Sequence, residues 1–277
     1  MKRAVLFLLL NLTICAIYAQ SQPVSQRLDA LLNDEILKTS EVGITVFDLT
    51  TGESLYRYQD EKLYRPASIE KVITSVTALA RLGADYTMDT HLRYTGKIEN
   101  DTLKGNLYLI GGFDPELMDE DLDSLVAAVE AQGIRYVTDT IAADVSMTDS
   151  VYWGPGWSWD DTPYSFQPYL SPLMLNRGCV DVSVSPAQKD SLPAVLCTPV
   201  SDYYRVCNRA VSRNPQAGKL EITRNWLSNG NVITVSGNVS RPYTGQVNIY
   251  TSKDFFFHTF IPVSYTHLRA HETDSYL

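Results

Sequence analysis

The sequence has 277 residues, of which 44% are hydrophobic and 20% are charged. This composition is typical of a globular protein with one large domain or two smaller ones. The chain carries 23 basic and 32 acidic residues and a formal net charge of −9 at pH 7. The acidic balance argues against nucleic acid as a partner, and it gives no indication of peripheral contact with an anionic membrane surface.

The first residues have the pattern of a secretory signal peptide. Two basic residues, Lys2 and Arg3, precede an apolar run over residues 4–17, and the small residue Ala19 follows it. The run is short and interrupted by polar residues, so it does not suit a membrane-spanning helix. We therefore predict a signal peptide over residues 1–19 that is cleaved after Ala19 during export.

The segment after this signal predicts a helix, a hairpin and a second helix. Apolar residues at helical spacing indicate an amphipathic helix over residues 24–38. Residues 42–49 and 54–58 are rich in β-branched and apolar side chains and flank a turn, so they predict a β-hairpin. A second helix is predicted over residues 66–82, because it begins with a proline and Gly83 follows its last residue.

The second part of the chain predicts shorter strands and frequent turns. Strands are predicted over residues 91–97, 103–110 and 136–144, and a helix over 121–132. From residue 180 onward, short apolar runs alternate with turns rich in proline, glycine and asparagine. This region is therefore expected to be mostly β-structure.

Three cysteines follow the predicted signal peptide: Cys179, Cys197 and Cys207. None belongs to a Cys-x-x-Cys pair, so we expect no metal site, and nothing in the sequence indicates a cofactor. Cys197 and Cys207 flank a short turn-rich stretch and could form a disulfide in an oxidising compartment. The spacing is equally compatible with small buried thiols.

Ser68 and Lys71 are the candidate catalytic residues. They lie three residues apart at the start of the helix predicted over residues 66–82, so one turn brings the amine within reach of the hydroxyl. An apolar stripe beside them predicts a buried helix, and a lysine needs desolvation or a nearby cation to act as a base near neutral pH. By itself the pattern is short, and in many proteins it marks a helix N-cap followed by a solvated lysine.

Other nucleophile schemes have less support. The chain has no Gly-x-Ser-x-Gly motif of the kind that exposes a serine in α/β-hydrolases. Only four histidines are present, which leaves few bases for a Ser-His-Asp triad. The Ser-x-x-Lys pair is therefore the strongest candidate for nucleophilic chemistry.

Several motifs surround this pair in a fixed order: RPASIEKVITS at 65–75, GNLYLIGGFDP at 105–115, GWSWDD at 156–161 and LNRGCV at 175–180. In this order they resemble the class C low-molecular-mass penicillin-binding proteins, which are D-alanyl-D-alanine carboxypeptidases and endopeptidases. The resemblance covers most of the chain, from about residue 25 to 260. It is much more specific than the Ser-x-x-Lys pattern alone.

The resemblance implies an α/β (α+β) fold, in which a transpeptidase-like catalytic domain is interrupted by a large, mostly-β insertion. Residues 20–85 would form the N-terminal portion of the catalytic domain, and residues 86–250 the inserted region. Residues 251–263 would begin the return to the catalytic domain. The C-terminal part of that domain would be missing from these 277 residues.

The resemblance also implies the roles of three residues. Ser68 would be the acylated nucleophile and Lys71 its general base. Asp161 would contact the free amine of the diamino acid in the stem peptide, since a carboxylate pairs with an ammonium group. The implied partners are peptidoglycan stem peptides as substrates and β-lactams as covalent inhibitors, in the periplasm. Without the resemblance, Asp161 would be interpreted as a surface acid on an aromatic loop.

The chain departs from the family in its later motifs. The family needs a Ser-x-Asn motif and a Lys-Thr-Gly motif after the insertion. Ser212-x-Asn214 and Ser236-x-Asn238 have the required letters, but neither is predicted to open a helix, so we interpret both as coincidences. One catalytic motif of three is therefore identified.

The end of the chain has a different character. Residues 264–273 read SYTHLRAHET, which resembles the translation of a common sequencing adapter. We therefore predict that residues 264–277 are a non-native tail and that these 277 residues are an inactive N-terminal portion of the enzyme. Two alternatives remain: a β-lactamase or esterase of the same superfamily, and a non-catalytic relative that binds the cell wall.

Overall fold

The structure is a computed structural model that describes residues 23–267, 269–270 and 274–276, and beyond residue 264 it describes the backbone alone. The signal peptide predicted over residues 1–19 lies outside the described residues. The chain divides into two compact units at the boundary between Tyr86 and Thr87. Within the described residues, no helix combines the length and apolarity that a membrane crossing requires.

The first unit contains short helices and one hairpin. Its helices are α1 (Val24–Leu32), α2 (Glu35–Lys38) and α3 (Glu70–Leu82), with a 3-10 turn at Ala67–Ile69, and its strands are β1 (Ile44–Asp48) and β2 (Glu53–Tyr58). The prediction of a single helix over residues 24–38 is wrong in one respect, because the helix is interrupted at Asp34. The Asp34 carboxylate accepts a hydrogen bond from the Ile36 N–H at 3.0 Å and caps a new helix there.

The predicted hairpin and the helix predicted over residues 66–82 are confirmed. Strands β1 and β2 pair antiparallel from Ile44 opposite Tyr58 to Asp48 opposite Glu53. The Asp48 carboxylate accepts the backbone N–H of Thr50 at 2.8 Å, and this bond holds the turn and lowers the pKa of the carboxyl group. Helix α3 ends at Gly83, whose φ of +86° suits glycine.

The first unit has no buried residue between positions 23 and 86. The apolar stripe of α3 is open to solvent, with Ile69 72%, Val72 64% and Val76 59% exposed. Burial of this stripe was expected in the complete catalytic domain and stays a prediction, whereas in the described residues the stripe is uncovered, as expected for an N-terminal portion of that domain. The helix is stabilised by local hydrogen bonds, and no core covers its apolar face.

The second unit contains four small sheets and two longer helices. Its helices are α4 (Asp121–Glu130) and α5 (Ser252–His267). Its strands are β3 (His91–Tyr94), β4 (Lys97–Glu99), β5 (Thr102–Lys104), β6 (Leu107–Ile110), β7 (Tyr136–Val137), β8 (Ile141–Asp144), β9 (Cys179–Ser185), β10 (Ala194–Thr198), β11 (Arg205–Ser212), β12 (Glu221–Arg224), β13 (Val232–Val239), β14 (Tyr243–Asn248), β15 (Arg269–Ala270) and β16 (Asp274–Tyr276). The orders are β15-β7-β5-β4, β16-β8-β6-β3, β10-β9-β14 and β11-β13-β12.

The long strands predicted over residues 91–97, 103–110 and 136–144 are each divided in two. Strands β4 and β5 pair in one sheet, whereas β3 and β6 pair in another, so the hairpin bends between them. A β-carbon built on Gly96 would lie 2.0 Å from the Lys104 carbonyl oxygen, and Gly96 has a φ of +94°. The bend therefore requires glycine at this position.

Helix α5 supplies the centre of the hydrophobic core and was not predicted. Four of its side chains, those of Phe255, Phe256, Phe257 and Phe260, are 0–1% exposed, and α5 packs against α4. Three of these phenylalanines are consecutive, between Asp254 and His258, so the sequence shows no one-sided apolar stripe of the usual helical pattern. Residues 251–263, predicted to return to the catalytic domain, lie in this unit, and that domain assignment stays a prediction.

The predicted non-native tail begins within α5. The helix continues to His267, and the backbone of β15 and β16 runs parallel to β7 and β8, respectively. The other residues of the tail lie outside the described residues. The non-native origin of residues 264–277 remains a prediction from the sequence.

Candidate active site

Ser68 lies in the 3-10 turn that precedes α3, and Lys71 lies in the first turn of α3. Lys71 Nζ donates a hydrogen bond to Ser68 Oγ at 2.8 Å. This is the contact that the spacing of three residues predicts, and it needs no other part of the chain. The catalytic roles of the two residues remain predictions.

The electrostatic surroundings of this pair come from the helix and from solvent. Ser68 lies at the positive end of the α3 dipole, which favours negative charge developing on its oxygen. Both Ser68 and Lys71 are exposed. The described residues therefore place a hydroxyl group beside an amine, but they do not remove either group from water.

Asp161 belongs to the second unit, whereas Ser68 and Lys71 belong to the first. It ends a 3-10 turn at Trp159–Asp161, where its N–H donates to the Ser158 carbonyl at 3.2 Å and its carbonyl accepts from the Tyr164 N–H at 2.9 Å. The side chain is partly exposed, and no ion pair among the described residues involves it. The carboxylate is therefore available to a cationic ligand.

An aromatic group beside this turn is larger than the sequence indicated. Trp153 contacts Trp157 with ring centroids 5.4 Å apart, and Trp159 contacts Trp226 at 5.1 Å. The GWSWDD motif contains only Trp157 and Trp159, whereas Trp226 lies far along the chain. The four tryptophans of the chain all belong to this group, and their scarcity was the one signal that could have drawn attention to Trp226.

The two Ser-x-Asn sequences have structural explanations. Ser212 is buried and its Oγ accepts the Ala187 N–H at 3.0 Å. Asn214 caps a 3-10 turn by accepting the Gln216 N–H at 3.0 Å, and Asn238 accepts the Asn214 N–H at 2.9 Å. These contacts hold loops together, and the interpretation of both sequences as coincidences remains a prediction.

The three cysteines of the second unit are free thiols, so the structure contains no Cys197–Cys207 disulfide. Burial raises the pKa of Cys179 to about 12 and that of Cys197 to about 11. A thiol with so high a pKa is a poor nucleophile and a poor metal ligand, because both roles need the thiolate. Within the described residues, no three His, Cys, Asp or Glu side chains cluster as a metal site.

A serine and a lysine three residues apart at the start of a helix form the nucleophile motif of serine β-lactamases and penicillin-binding proteins. The family model described as D-Ala-D-Ala carboxypeptidase 3 (S13) matches residues 24–255, and the chain belongs to this family. The predicted membership of the class C low-molecular-mass penicillin-binding proteins is confirmed.

Two curated relatives have the same activity in their names. The D-alanyl-D-alanine carboxypeptidase of Actinomadura sp. (strain R39) is 32% identical over 200 residues, which cover 70% of this chain and 37% of the relative. The D-alanyl-D-alanine carboxypeptidase DacB of Haemophilus influenzae is 28% identical over 169 residues, covering 59% of this chain and 35% of the relative. The chain thus matches a little more than a third of the length of each relative.

Solved structures show the same fold. Penicillin-binding protein 4 (dacB) of Haemophilus influenzae matches with a TM-score of 0.67 and 23% identity, over 85% of this chain and 52% of the neighbour. The same protein in complex with a β-lactam matches with a TM-score of 0.62 and 20% identity, over 87% of this chain and 51% of the neighbour. The predicted α/β fold of penicillin-binding proteins is confirmed.

Proposed function

We propose that the chain is the N-terminal portion of a serine-type D-alanyl-D-alanine carboxypeptidase and endopeptidase that acts on peptidoglycan stem peptides. The observation that carries the proposal is the 2.8 Å contact between Lys71 Nζ and Ser68 Oγ. It occurs at the start of a helix, inside the residues that match the family. Membership of a carboxypeptidase family supports the proposed substrate class, and the contact supports Ser68 as the proposed nucleophile.

The proposed reaction proceeds in two acyl-transfer steps. Lys71, as a neutral amine, takes the proton of the Ser68 hydroxyl while Ser68 Oγ bonds to the carbonyl carbon of the penultimate D-alanine. The tetrahedral intermediate collapses, the peptide C–N bond breaks, and the terminal D-alanine leaves with the proton on its amine. Water then attacks the ester, releases the shortened peptide and returns the proton to Ser68.

Asp161 is proposed to select the substrate. A stem peptide carries a diamino acid whose free side-chain amine is cationic at neutral pH, and the Asp161 carboxylate has no ion-pair partner among the described residues. A charge-assisted hydrogen bond between the two would favour peptides with a free amine.

We propose two further properties on the same basis. β-Lactams would acylate Ser68, since a related penicillin-binding protein was solved in complex with a β-lactam. The N-terminal pattern of basic, apolar and small residues would direct export to the periplasm, with cleavage after Ala19.

The 277 residues are proposed to be inactive on their own. Ser68 and Lys71 are exposed, and the apolar stripe of α3 has no cover in the described residues. Acyl transfer needs preorganised donors for the oxyanion, and loss of one such donor costs about 100- to 1000-fold in rate. Water around the pair also leaves the Lys71 amine without the desolvation that favours a neutral base.

Labelling with a fluorescent penicillin tests the nucleophile. In the complete protein, Ser68→Ala is expected to abolish covalent labelling, because no other group would form the acyl-enzyme. The exposed Ser40 lies in the same unit outside the motif, so Ser40→Ala is the matched control and should label like the parent. Stoichiometric labelling of the Ser68→Ala protein would contradict the proposal, and absence of labelling in the parent would favour a non-catalytic relative.

A further inference from the structure

The second unit contains a cavity of about 320 Å³ whose walls are mostly aromatic, here called the aromatic cavity. Trp159 and Trp226 form one pair of rings with centroids 5.1 Å apart. Tyr169 contacts Trp153 at 5.1 Å and Tyr250 at 5.1 Å. These five rings come from separate stretches of the chain, so the fold assembles the cavity.

A buried arginine supports one wall of the aromatic cavity. Arg224 is 2% exposed, and its guanidinium carbon lies 5.6 Å from the centroid of the Tyr169 ring. Its Nε donates to the backbone and side-chain oxygens of Asn248, both at 3.0 Å, and its Nη1 donates to the Gly230 carbonyl at 3.0 Å. Such a network orients Tyr169 before any ligand arrives, which reduces the entropy lost on binding.

A buried hydroxyl in the same wall lacks a partner. Thr162 lines the aromatic cavity and is 3% exposed. Its Oγ1 has no hydrogen-bond partner among the described residues. Buried polar groups are almost always paired with protein, water or ligand. The unpaired oxygen therefore leaves one hydrogen-bonding capacity of this wall unused by the described residues.

The chemistry of the walls defines the class of ligand. Every lining side chain is uncharged: besides Thr162 and the five rings they are Leu227 and Asn229. A charged ligand would thus lose hydration without a counter-ion. Aromatic rings suit the C–H face of a pyranose ring, whose hydroxyl groups point to the rim. An acetamido group adds one donor and one acceptor, which suit Thr162 Oγ1 and the Asn229 amide.

We propose that the aromatic cavity binds a neutral N-acetylhexosamine ring of a glycan strand. The identity of that strand as peptidoglycan rests on the proposed function. Trp159 and Thr162 flank Asp161 closely in sequence, so one substrate could present its sugar to the aromatic cavity and its stem-peptide amine to Asp161. The site would then favour stem peptides that are still attached to glycan.

Binding of peptide-free sugars to the full chain tests the proposal by calorimetry. The probes are the tetramer of N-acetylglucosamine and cellotetraose, which has the same backbone without acetamido groups. We expect saturable binding of the first and at least tenfold weaker binding of the second. Trp159→Ala and Trp226→Ala should each weaken the affinity for the N-acetylated tetramer at least tenfold. Thr162→Val, which keeps the shape and removes the hydroxyl, should weaken it several-fold.

Matched controls separate binding from folding and from catalysis. Trp159 is 67% exposed, so its replacement should leave the unfolding midpoint unchanged, and Tyr243→Ala removes an exposed ring outside the cavity. Absence of binding to the parent, or parental affinity of Trp159→Ala, would overturn the proposal. Equal affinity for both sugars would overturn its N-acetyl part. Because sugar binding needs no acyl transfer, Ser68→Ala should bind the N-acetylated tetramer like the parent. The binding result therefore stands even if the labelling experiment contradicts the peptidase proposal.

Discussion

The two units of the chain use apolar residues in opposite ways. In the first unit, no residue between 23 and 86 is buried, and the contact between Ser68 and Lys71 is formed by a single helical turn. In the second, side chains from α4, α5 and several strands fill a common core. The Ser68–Lys71 contact therefore forms in a unit that has no buried residue among positions 23–86. Desolvation of that pair, in contrast, requires contacts that a single turn cannot supply.

The largest expected effect is a difference in the free energy of unfolding between two variants, each of which truncates one apolar side chain in one unit. Phe256→Ala should destabilise the second unit by about 3–5 kcal/mol, because it leaves a cavity at a fully buried position. Val76→Ala should change the free energy of unfolding by less than about 0.5 kcal/mol, since Val76 is 59% exposed. All four tryptophans lie between residues 153 and 226, so urea unfolding followed by their fluorescence reports on the second unit.

Far-ultraviolet circular dichroism follows the helices of both units and so includes the contribution of α1, α2 and α3. The helical signal should be the same for Val76→Ala and for the parent at every urea concentration. A loss of stability in Val76→Ala comparable to that in Phe256→Ala would show that the face of α3 is covered, and the contrast between the units would then fail.

Two glycines with positive φ extend the comparison to the backbone. Gly96 in the second unit has φ +94°, and a β-carbon there would lie 2.0 Å from the Lys104 carbonyl oxygen. Gly52 in the first unit has φ +77°, with nothing within 4 Å of a built β-carbon. Gly96→Ala should therefore cost about 3 kcal/mol from strain and displaced backbone, whereas Gly52→Ala should cost about 1 kcal/mol from strain alone. Equal unfolding midpoints for the two variants would contradict the bend at Gly96.

The sequence predicted the parts of the fold that depend on neighbouring residues. The hairpin of β1 and β2 and the contact between Ser68 and Lys71 follow from turn signals and helical spacing, and both are present. Helix α5 was missed because its buried phenylalanines give no one-sided pattern. The division of long strands was missed because it depends on which sheet each half joins.

The candidate site residues also differ in whether neighbouring or distant positions in the sequence identify them. Helical spacing alone identified Ser68 and Lys71, whereas Asp161 was identified only through the resemblance to a family. The aromatic cavity was not anticipated, since Trp153 and Tyr250 are almost 100 positions apart in the sequence. Sites assembled from distant segments require the fold before they can be recognised.

Asp161→Ala tests whether the Asp161 carboxylate contributes to the proposed substrate preference. In the complete protein, this variant should lower kcat/KM for stem peptides with a free side-chain amine by about 10- to 100-fold, which corresponds to loss of a charge-assisted contact. Peptides whose amine is acetylated should lose less than about threefold. Asp160→Ala changes the neighbouring carboxylate and serves as the control. An equal loss on both peptides would indicate a structural role for Asp161.

The smallest expected effect concerns the buried thiols of the second unit at alkaline pH. Burial raises the pKa of Cys179 from 9.0 to about 12, so the folded state keeps this thiol protonated while the unfolded state ionises from about pH 9. The contribution to stability is therefore complete below pH 9 and is lost between pH 9 and about 12. At pH 10 the loss should be about 1 kcal/mol, which is the free energy of one pKa unit.

Denaturant unfolding at pH 7, 8.5 and 10 measures this loss. Cys179→Ala should show a smaller decline between pH 8.5 and 10 than the parent, and Cys207→Ala, at a less buried position, should decline like the parent. Identical declines in the parent and Cys179→Ala would mean that Cys179 ionises equally in both states, in conflict with its burial.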